Sequence, residues 1–413
     1  MNFTFIHAAD LHIDSPLAAL GAKDRAVRDC FEGAGRRSVD NLVAETIRSG
    51  AAFLLIAGDI FDGEWRDAST GLFFARALGE LDRKGIRTFV IKGNHDADSV
   101  VSRSLPLPAS TRVFASNKAE SVELAEYRTV LHGRSFPDRC VPADFVEGYP
   151  QRREGWLNIG LLHTSLEGSS EHAVYAPCGV DDLKRFHYDY WALGHVHDHR
   201  IVERDPWIVY PGNVQGRSVR ETGAKGVVRV EVKDGRIADV THVPLDGARW
   251  ARHAIDLSGC EHLEDVNGRV EAALASLHDQ SAGLPLAARL TLTGMTSLHH
   301  GLAAGACDVD DIRAIASRFS GDFWIEKIVI STSAPDRPEN LETDDVLDVE
   351  SLIAAAAGEE AFNDELRNAI AEIAGKMPRD LRASLPGDEQ FVTALASRAR
   401  DYLLGNLASG SRS

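Results

Sequence analysis

The chain has 413 residues, of which 44% are hydrophobic and 26% charged, a composition typical of a globular protein with roughly two or three domains. It contains no run of about 18 apolar residues that could span a membrane, and its five cysteines form no CxxC pair, so we expect a cytoplasmic protein with reduced thiols. The formal net charge of −17 argues against strong DNA binding by this chain alone, because proteins that hold DNA unaided normally carry a basic surface.

The first 245 residues alternate between predicted strands and helices and end in strand-rich sequence. Short apolar runs predict the strands, and an apolar face that includes Val39, Leu42 and Ile47 predicts the first helix. In chain order we expect strand 3–6, helix 36–48, strand 53–57, helix 68–84, strands 88–91, 122–131, 157–162, 190–193 and 207–210, and a hairpin 227–232/237–242. This order predicts an α/β fold, a layered sandwich in which helices cover two packed sheets.

The sequence after residue 245 predicts a separate small α/β unit and a helical extension. The small unit, residues 250–333, is expected to contain strands 251–257, 286–292 and 323–331 and helices 262–278 and 309–319. A linker with two prolines follows at 333–340, and helices are expected near 346–357, 361–376 and 388–404. Residues 334–413 hold 16 acidic and 8 basic residues. We expect these acidic helices to dock onto a partner or to complete a small bundle.

Five short segments rich in metal-ligand side chains each follow or end one of the predicted strands. They are Asp10-Leu-His12, Gly58-Asp-Ile-Phe-Asp62, Gly93-Asn-His-Asp96, His163 and Gly194-His-Val-His197. In α/β sheets, functional groups gather beyond the carboxyl ends of the strands. Oxygen and imidazole ligands without thiolates suit Mn, Fe, Zn or Co and argue against a structural zinc cage. One such segment would mean little, but five predict a single two-metal phosphoesterase site.

The residue types in this series suggest separate roles. Two cations a few ångströms apart need a bridging carboxylate, which Asp59 can provide because both of its oxygens can ligate. Asp10, His12 and His197 can converge on one ion, and Asn94, His163 and His195 on the other. Two bound cations lower the pKa of water and so supply a nucleophile for in-line attack on phosphorus.

Three further side chains next to these ligands have predicted roles. His95 is left uncoordinated beside Asn94, and Asp96 can orient it. His95 is then suited to stabilise the transition state or to protonate the leaving oxygen. Asp62 is expected to hydrogen-bond a ligand or a turn, with an acid at a helix start as the alternative.

The ordered series D-x-H, GDxxD, GNHD, H and GHxH resembles that of the calcineurin-like metallophosphoesterases. The segments 8–14, 58–62 and 189–197 resemble the SbcD group, the nuclease subunits of double-strand-break repair complexes. The segments 162–168, 175–178 and 210–226 are similar to the YhaO-like bacterial DNA exonucleases. The resemblance covers residues 1–245 well and the rest of the chain only in outline.

The resemblance implies a four-layer α/β/β/α sandwich, a capping domain after it, and an SMC/ABC-type coiled-coil ATPase as partner. It carries over a dinuclear site, expected to hold Mn²⁺, with His95 catalytic and with the ligands Asp10, His12, Asp59, Asn94, His163, His195 and His197. Some members of the wider group have histidine where this chain has Asp62. The acidic net charge is less surprising in this family, since the ATPase can supply DNA contacts.

A loop in the matching segment 210–226 adds candidate substrate contacts. Asn213, Arg217 and Arg220 are expected to touch DNA phosphates, with a purely structural loop as the alternative. The resemblance implies a metal-dependent DNA exonuclease or endonuclease acting in DNA repair. A small-molecule phosphodiesterase or phosphatase on the same site stays open as an alternative, and so does a homodimer.

Overall fold

A computed structural model describes most of the chain. The described residues are 1–15, 25–62, 68–98, 106–138, 141, 143–166, 178–305, 309–316, 318–319, 322–335, 359–377 and eleven further positions from 352 to 403. The chain divides into two compact units, one of residues 1–251 with 283–287 and one of residues 252–282 with 288–413. Within the described parts, no helix is both long enough and apolar enough to cross a membrane.

The first unit contains two six-stranded sheets. The strands of the first sheet are β1 (Phe3–Ala8), β2 (Phe53–Ala57), β3 (Arg87–Ile91), β4 (Thr111–Val113), β11 (Gly226–Lys233) and β12 (Arg236–Pro244). Their order is β12-β11-β1-β2-β3-β4. Strands β1 to β4 are parallel, and β11 is antiparallel to both of its neighbours. The expected hairpin therefore forms one edge of this sheet.

The second sheet also has six strands, four of which are parallel. Its strands are β5 (Glu120–Leu124), β6 (Thr129–Gly133), β7 (Leu157–His163), β8 (Tyr190–Gly194), β9 (Arg200–Arg204) and β10 (Trp207–Tyr210). The order is β5-β6-β7-β8-β10-β9, with β6, β7, β8 and β10 parallel. The prediction of one strand over 122–131 is wrong. Arg128 has a left-handed backbone with φ of 44°, which reverses the chain and splits the apolar run into an antiparallel pair.

Apolar side chains fill the space between the two sheets and on their outer faces. Alternate residues of β1 and β2, such as Phe5 and Phe53, pack against Ile159 and Tyr190 of the second sheet. The opposite faces of β1 and β2 pack against helices α1 (Arg25–Arg48) and α2 (Ala68–Arg83). Fully burying one such aromatic or aliphatic side chain stabilises the fold by about 1.5–3 kcal/mol.

The outer face of the second sheet is covered by short helical segments. These are the turn Ala143–Gly148 and α4 (Val180–Lys184), which pack aromatic residues against Trp191 of β8. A further short helix, α3 (Asn94–Asp98), follows β3 directly. The predicted four-layer α/β/β/α sandwich is confirmed, and the described residues of its fourth layer form short helices of five and six residues.

The second unit centres on a small sheet. Strands β13 (Arg249–Asp256), β14 (Leu286–Met295) and β15 (Phe323–Ser333) pair in that order. The helices are α5 (Leu263–Gln280), α6 (His299–Ala303), α7 (Val309–Ala316) and α8 (Glu360–Lys376). Helix α8 coincides with the predicted helix 361–376, whereas the predicted helices 346–357 and 388–404 and most of the linker 333–340 lie largely outside the described residues.

Candidate metal centre

The candidate site lies at the edge of the sandwich where parallel strands of both sheets end. Asp10, Asp59 and Asn94 follow β1, β2 and β3, and His163 and His195 stand at the ends of β7 and β8. The first four of these side chains are 2% exposed or less. Parallel strands bring their carboxyl ends to a common edge, so residues far apart in sequence converge there.

Atoms able to bind a metal form three groups at this edge, two of which share His12. Within each group, the candidate atoms lie within 4.8 Å of one another. The groups are Asp10, His12 and His197; Asp59, His163 and His195; and His12, Asp62 and His95. Asn94 joins the second group, since its Oδ1 atom lies 3.0 Å from His163 Nε2. The structure thus brings together all the residues that the sequence predicts as ligands.

Asp59 stands between the first two groups. Its Oδ2 atom lies 3.8 Å from His12 Nε2 and 3.3 Å from His163 Nε2, so one carboxylate oxygen faces both groups. Its Oδ1 atom accepts the backbone N–H of His95 at 2.9 Å. The sequence predicts a carboxylate that would use both oxygens for two ions, whereas here Oδ2 faces both groups and Oδ1 holds the start of α3.

The donor atoms fit divalent cations. His12 Nδ1 lies 2.9 Å from Asp62 Oδ1, and His197 Nδ1 lies 2.8 Å from Glu221 Oε1, so each ring can donate its Nδ1 proton to a carboxylate. The lone pair of each ring is then on Nε2, and these two Nε2 atoms face each other at 3.3 Å. Two acceptors cannot hydrogen-bond to each other, whereas a cation can be coordinated by both.

Burial and mutual proximity shift the protonation of the ligands. Burial raises the pKa of Asp10 to about 6 and lowers the pKa of His12 to about 4. Burial also disfavours charge on His163, but the adjacent Asp59 carboxylate outweighs it and raises the pKa of His163 to about 9. Burial likewise disfavours charge on Asp59, yet His163 holds the pKa of Asp59 well below its usual range. Without metal, a proton on His163 takes the place of a cation beside Asp59.

The backbone is strained where it presents these side chains. The φ angle is 51° at Asp10, 40° at His12, 53° at Asp59 and 101° at His195. Non-glycine residues in such conformations cost of order 1–3 kcal/mol each and persist mainly at functional sites. Close passage of the backbone also requires glycine at Gly194, where a Cβ atom would lie 2.0 Å from a carbonyl oxygen of the neighbouring sheet. The ligands are therefore held rigidly before any ion arrives.

His95 lies at the rim of this site. Its side chain is 34% exposed, and its Nδ1 atom lies 3.5 Å from Asp62 Oδ1. Asp62 also accepts a hydrogen bond from His12, so it contacts a predicted ligand as the sequence leads us to expect. One carboxylate therefore connects the candidate acid–base residue with a candidate ligand.

Asp96 is placed differently from the prediction that it orients His95. Its carboxylate accepts the backbone N–H groups of Gly93, Ile60 and Phe61 at 2.9–3.0 Å. Burial raises the pKa of Asp96 to about 7, and the nearby Asp59 charge adds to this. These contacts tie together the loops after β2 and β3, so Asp96 shapes the backbone from which the ligands project.

The three predicted substrate contacts lie in different environments. Asn213 is fully buried and donates its side-chain amide to Gln215 O and to the Glu221 carboxylate, both at 2.8 Å. Arg217 is 25% exposed, and its guanidinium lies 3.4 Å from both Asp62 and Glu221. Arg220 is exposed. Arg217 thus faces the site, whereas the buried amide of Asn213 supports the loop and does not face solvent.

Glu221 is the residue of this site that the sequence reasoning missed. Its carboxylate accepts hydrogen bonds from His197 Nδ1, from the Asn213 side chain and from the Arg217 backbone at 2.7–2.8 Å. Burial opposes its charge, but His197 holds the pKa of Glu221 below its usual range. Metal-ligating histidines usually donate their second N–H to a carboxylate or carbonyl, so an acid near the final histidine pair was the signal to look for.

Comparisons with known proteins agree with this geometry. Residues 3–199 match the family model for calcineurin-like phosphoesterases. Residues 250–333 match the model for the middle domain of the metallophosphoesterase YhaO.

Two relatives cover most of the chain. It is 32% identical over 297 residues to the uncharacterized metallophosphoesterase YhaO of Bacillus subtilis (strain 168), covering 71% of this chain and 72% of that protein. It is 24% identical over 299 residues to the DNA double-strand break repair protein Mre11 of Methanopyrus kandleri, covering 64% of this chain and 61% of that protein. A dimetal phosphatase from Danio rerio is 13% identical with a TM-score of 0.36, over 58% of this chain and 99% of that structure. The chain belongs to the calcineurin-like metallophosphoesterases and is YhaO-like among them.

Proposed function

We propose that this chain hydrolyses phosphodiester bonds of DNA with two divalent ions, expected to be Mn²⁺, and acts in DNA repair beside an SMC-type ATPase. The observation that carries the proposal is the pair of ligand groups that share Asp59 Oδ2, with His95 at their open rim. Two divalent ions bound there supply Lewis acidity at the phosphoryl oxygens and an activated water.

The residues around the ligands have complementary tasks. Asp62 and Glu221 fix the rings of His12 and His197 through Nδ1, so that both Nε2 atoms point inward. His95 is exposed enough to reach a leaving oxygen, and its Nδ1 atom lies 3.5 Å from Asp62 Oδ1. This arrangement supports acid–base help to the leaving group from a side chain outside the two ligand groups that Asp59 Oδ2 faces.

DNA as substrate rests on similarity and on the loop that holds Arg217. The Mre11 relative is by name a double-strand break repair protein. Arg217 lies beside the site and can contact a phosphate next to the scissile one. The net charge of −17 predicts weak DNA binding by the isolated chain, which fits a partner that supplies further DNA contacts.

Substrate comparison under Mn²⁺ tests the proposal. Labelled duplex and single-stranded DNA should be cut, and cyclic nucleotides and phosphomonoesters should be poor substrates, with Asp59→Asn as the inactive control. Efficient turnover of the small substrates with none on DNA, even with the ATPase present, would establish the alternative, a small-molecule phosphodiesterase or phosphatase.

The ATPase partnership needs its own test. We propose that residues 334–413, a net acidic extension, dock onto the ATPase. Deleting them should preserve hydrolysis of bis-p-nitrophenyl phosphate and abolish co-purification with the ATPase. Continued co-purification of the truncated chain would place the docking surface elsewhere.

A further inference from the structure

A large groove opens at the edge of the sandwich opposite the metal centre. It has a volume of about 1010 Å³ and lies between the starting ends of strands from both sheets. Leu157 lines the groove at the start of β7, and His163 stands at the other end of the same strand. At about 3.3 Å per residue, the groove is roughly 20 Å from the metal ligands. It is therefore a separate site.

Basic side chains outnumber acidic ones in this groove. The basic residues are Arg128, Arg152, Lys184, Arg204 and Arg236, and the acidic residues are Asp189, Asp205 and Asp234. Lys184 is paired with Glu203 at 2.6 Å, and Arg152 lies 3.4 Å from Glu154. Among the described residues, no carboxylate forms a salt bridge with Arg128, Arg204 or Arg236. In a chain with 62 acidic and 45 basic residues, a lining of five basic and three acidic residues reverses the overall charge locally.

Aromatic rings accompany these cations. Tyr127, Trp156 and Trp207 line the groove, and all three are only partly buried. The Arg204 guanidinium lies 5.1 Å from the centre of the Trp207 ring, so the ring and the charge are presented side by side. A basic groove with aromatic platforms is the combination by which proteins hold single-stranded nucleic acid, with phosphates on the cations and bases on the rings.

We propose that this groove binds a single-stranded nucleic acid segment of a few nucleotides, without metal. The inference rests on the proposed function, in which the substrate of the metal centre is a nucleic acid. A strand held at the groove leaves the metal centre free for the end or the strand that is cut. The exposed Asp205 and Asp234 lower the affinity and keep the binding reversible.

Fluorescence anisotropy of a labelled oligothymidylate, measured on the full chain in EDTA, tests this inference. Replacing Arg204 and Arg236 together by Gln should weaken binding by about ten-fold or more. The slope of log affinity against log salt should also become shallower by roughly 1.4, which is 0.7 for each lost phosphate contact. Asp205→Asn, next to Arg204 in sequence, should have the opposite effect and tighten binding.

Arg252→Gln is the matched control, because Arg252 is also exposed and the charge change per residue is the same. It should bind as the unaltered chain does, and thermal unfolding should show that all variants are folded. Equal binding by the Arg204/Arg236 variant, or no binding by the unaltered chain, would overturn the inference. Stronger binding of poly-glutamate than of the oligonucleotide would also overturn it in favour of an acidic protein partner. A chain that binds the oligonucleotide in this way but does not hydrolyse DNA under Mn²⁺ would refute the proposed function and leave this inference standing.

Discussion

The two ends of the strands in the sandwich carry side chains of different kinds. At the carboxyl ends, short carboxylate, amide and imidazole side chains are buried and held by backbone amides, carbonyls and other carboxylates. At the starting ends, long arginine side chains lie exposed or partly exposed around an open groove. Buried groups of fixed geometry suit a metal ion, whereas flexible exposed cations suit a polyanion of variable shape. Substitutions should therefore act very differently at the two edges.

The largest effect is expected at Asp59, the residue shared by both ligand groups. Asp59→Asn removes the charge that faces His12 and His163, so the protein should lose both ions or nearly so, together with hydrolysis. Elemental analysis after reconstitution with Mn²⁺ measures this directly. Asp239→Asn, at an exposed position of β12, is the control and should retain about two ions. Full metal content in Asp59→Asn would rule out the bridging role.

A smaller effect is expected at His95, which lies at the rim of the same edge. His95→Ala should lower kcat by roughly two to four orders of magnitude, the usual size of a lost acid–base group. Metal content should stay unchanged, because His95 lies outside the two ligand groups that Asp59 Oδ2 faces and joins only the third group, with His12 and Asp62. A parallel loss of metal would instead show that His95 is itself a metal ligand.

A still smaller effect is expected at Glu221, which holds His197 from behind. Glu221→Gln keeps the size of the side chain but cannot accept the His197 proton as a carboxylate does, so affinity for one ion should fall about 10–100-fold. Calorimetric titration with Mn²⁺ should show one weakened and one unchanged site. Equal weakening of both sites would mean that Glu221 supports the whole edge and not His197 alone.

The sequence predicted the ligand cluster at the carboxyl ends of the strands well, and it did not predict the groove at their starting ends. Asp10, Asp59, Asn94 and His163 each follow or end an apolar strand, so their convergence follows from the rule for parallel strands. Glu221 was missed because it lies in a loop without periodicity, and only the spatial path of the loop brings it to His197.

The groove could not be predicted for a related physical reason. Its arginines stand at strand termini, turns and loops from both sheets, and no local spacing connects Arg128 with Arg236. The left-handed turn at Arg128 was likewise hidden, since the apolar residues on both sides of it predict one continuous strand. Contacts set by packing of one sheet on the other leave no periodic signal in the sequence.

The last prediction concerns the pH dependence of metal binding at the carboxyl ends of the strands. Between about pH 6 and pH 9, metal-free His163 carries a proton that must leave before the ring can bind an ion, because its pKa is about 9. Below about pH 6, Asp10 is protonated as well, because its pKa is about 6, and a second proton must leave. Apparent Mn²⁺ affinity should therefore rise about ten-fold per pH unit between pH 6 and 9 and more steeply below pH 6.

Calorimetry at pH 7.5 in two buffers of different ionisation enthalpy counts the released protons. One proton per protein is expected, because His12, with a pKa lowered to about 4 by burial, is already neutral at this pH. Asp96, with a pKa of about 7, contacts backbone amides and lies outside the ligand groups. Its proton therefore does not have to leave before an ion binds. Metal uptake that releases no proton would mean that His163 is already neutral beside Asp59. In the metal-free protein, the net charge of the ligand cluster would then depend on its carboxylates alone.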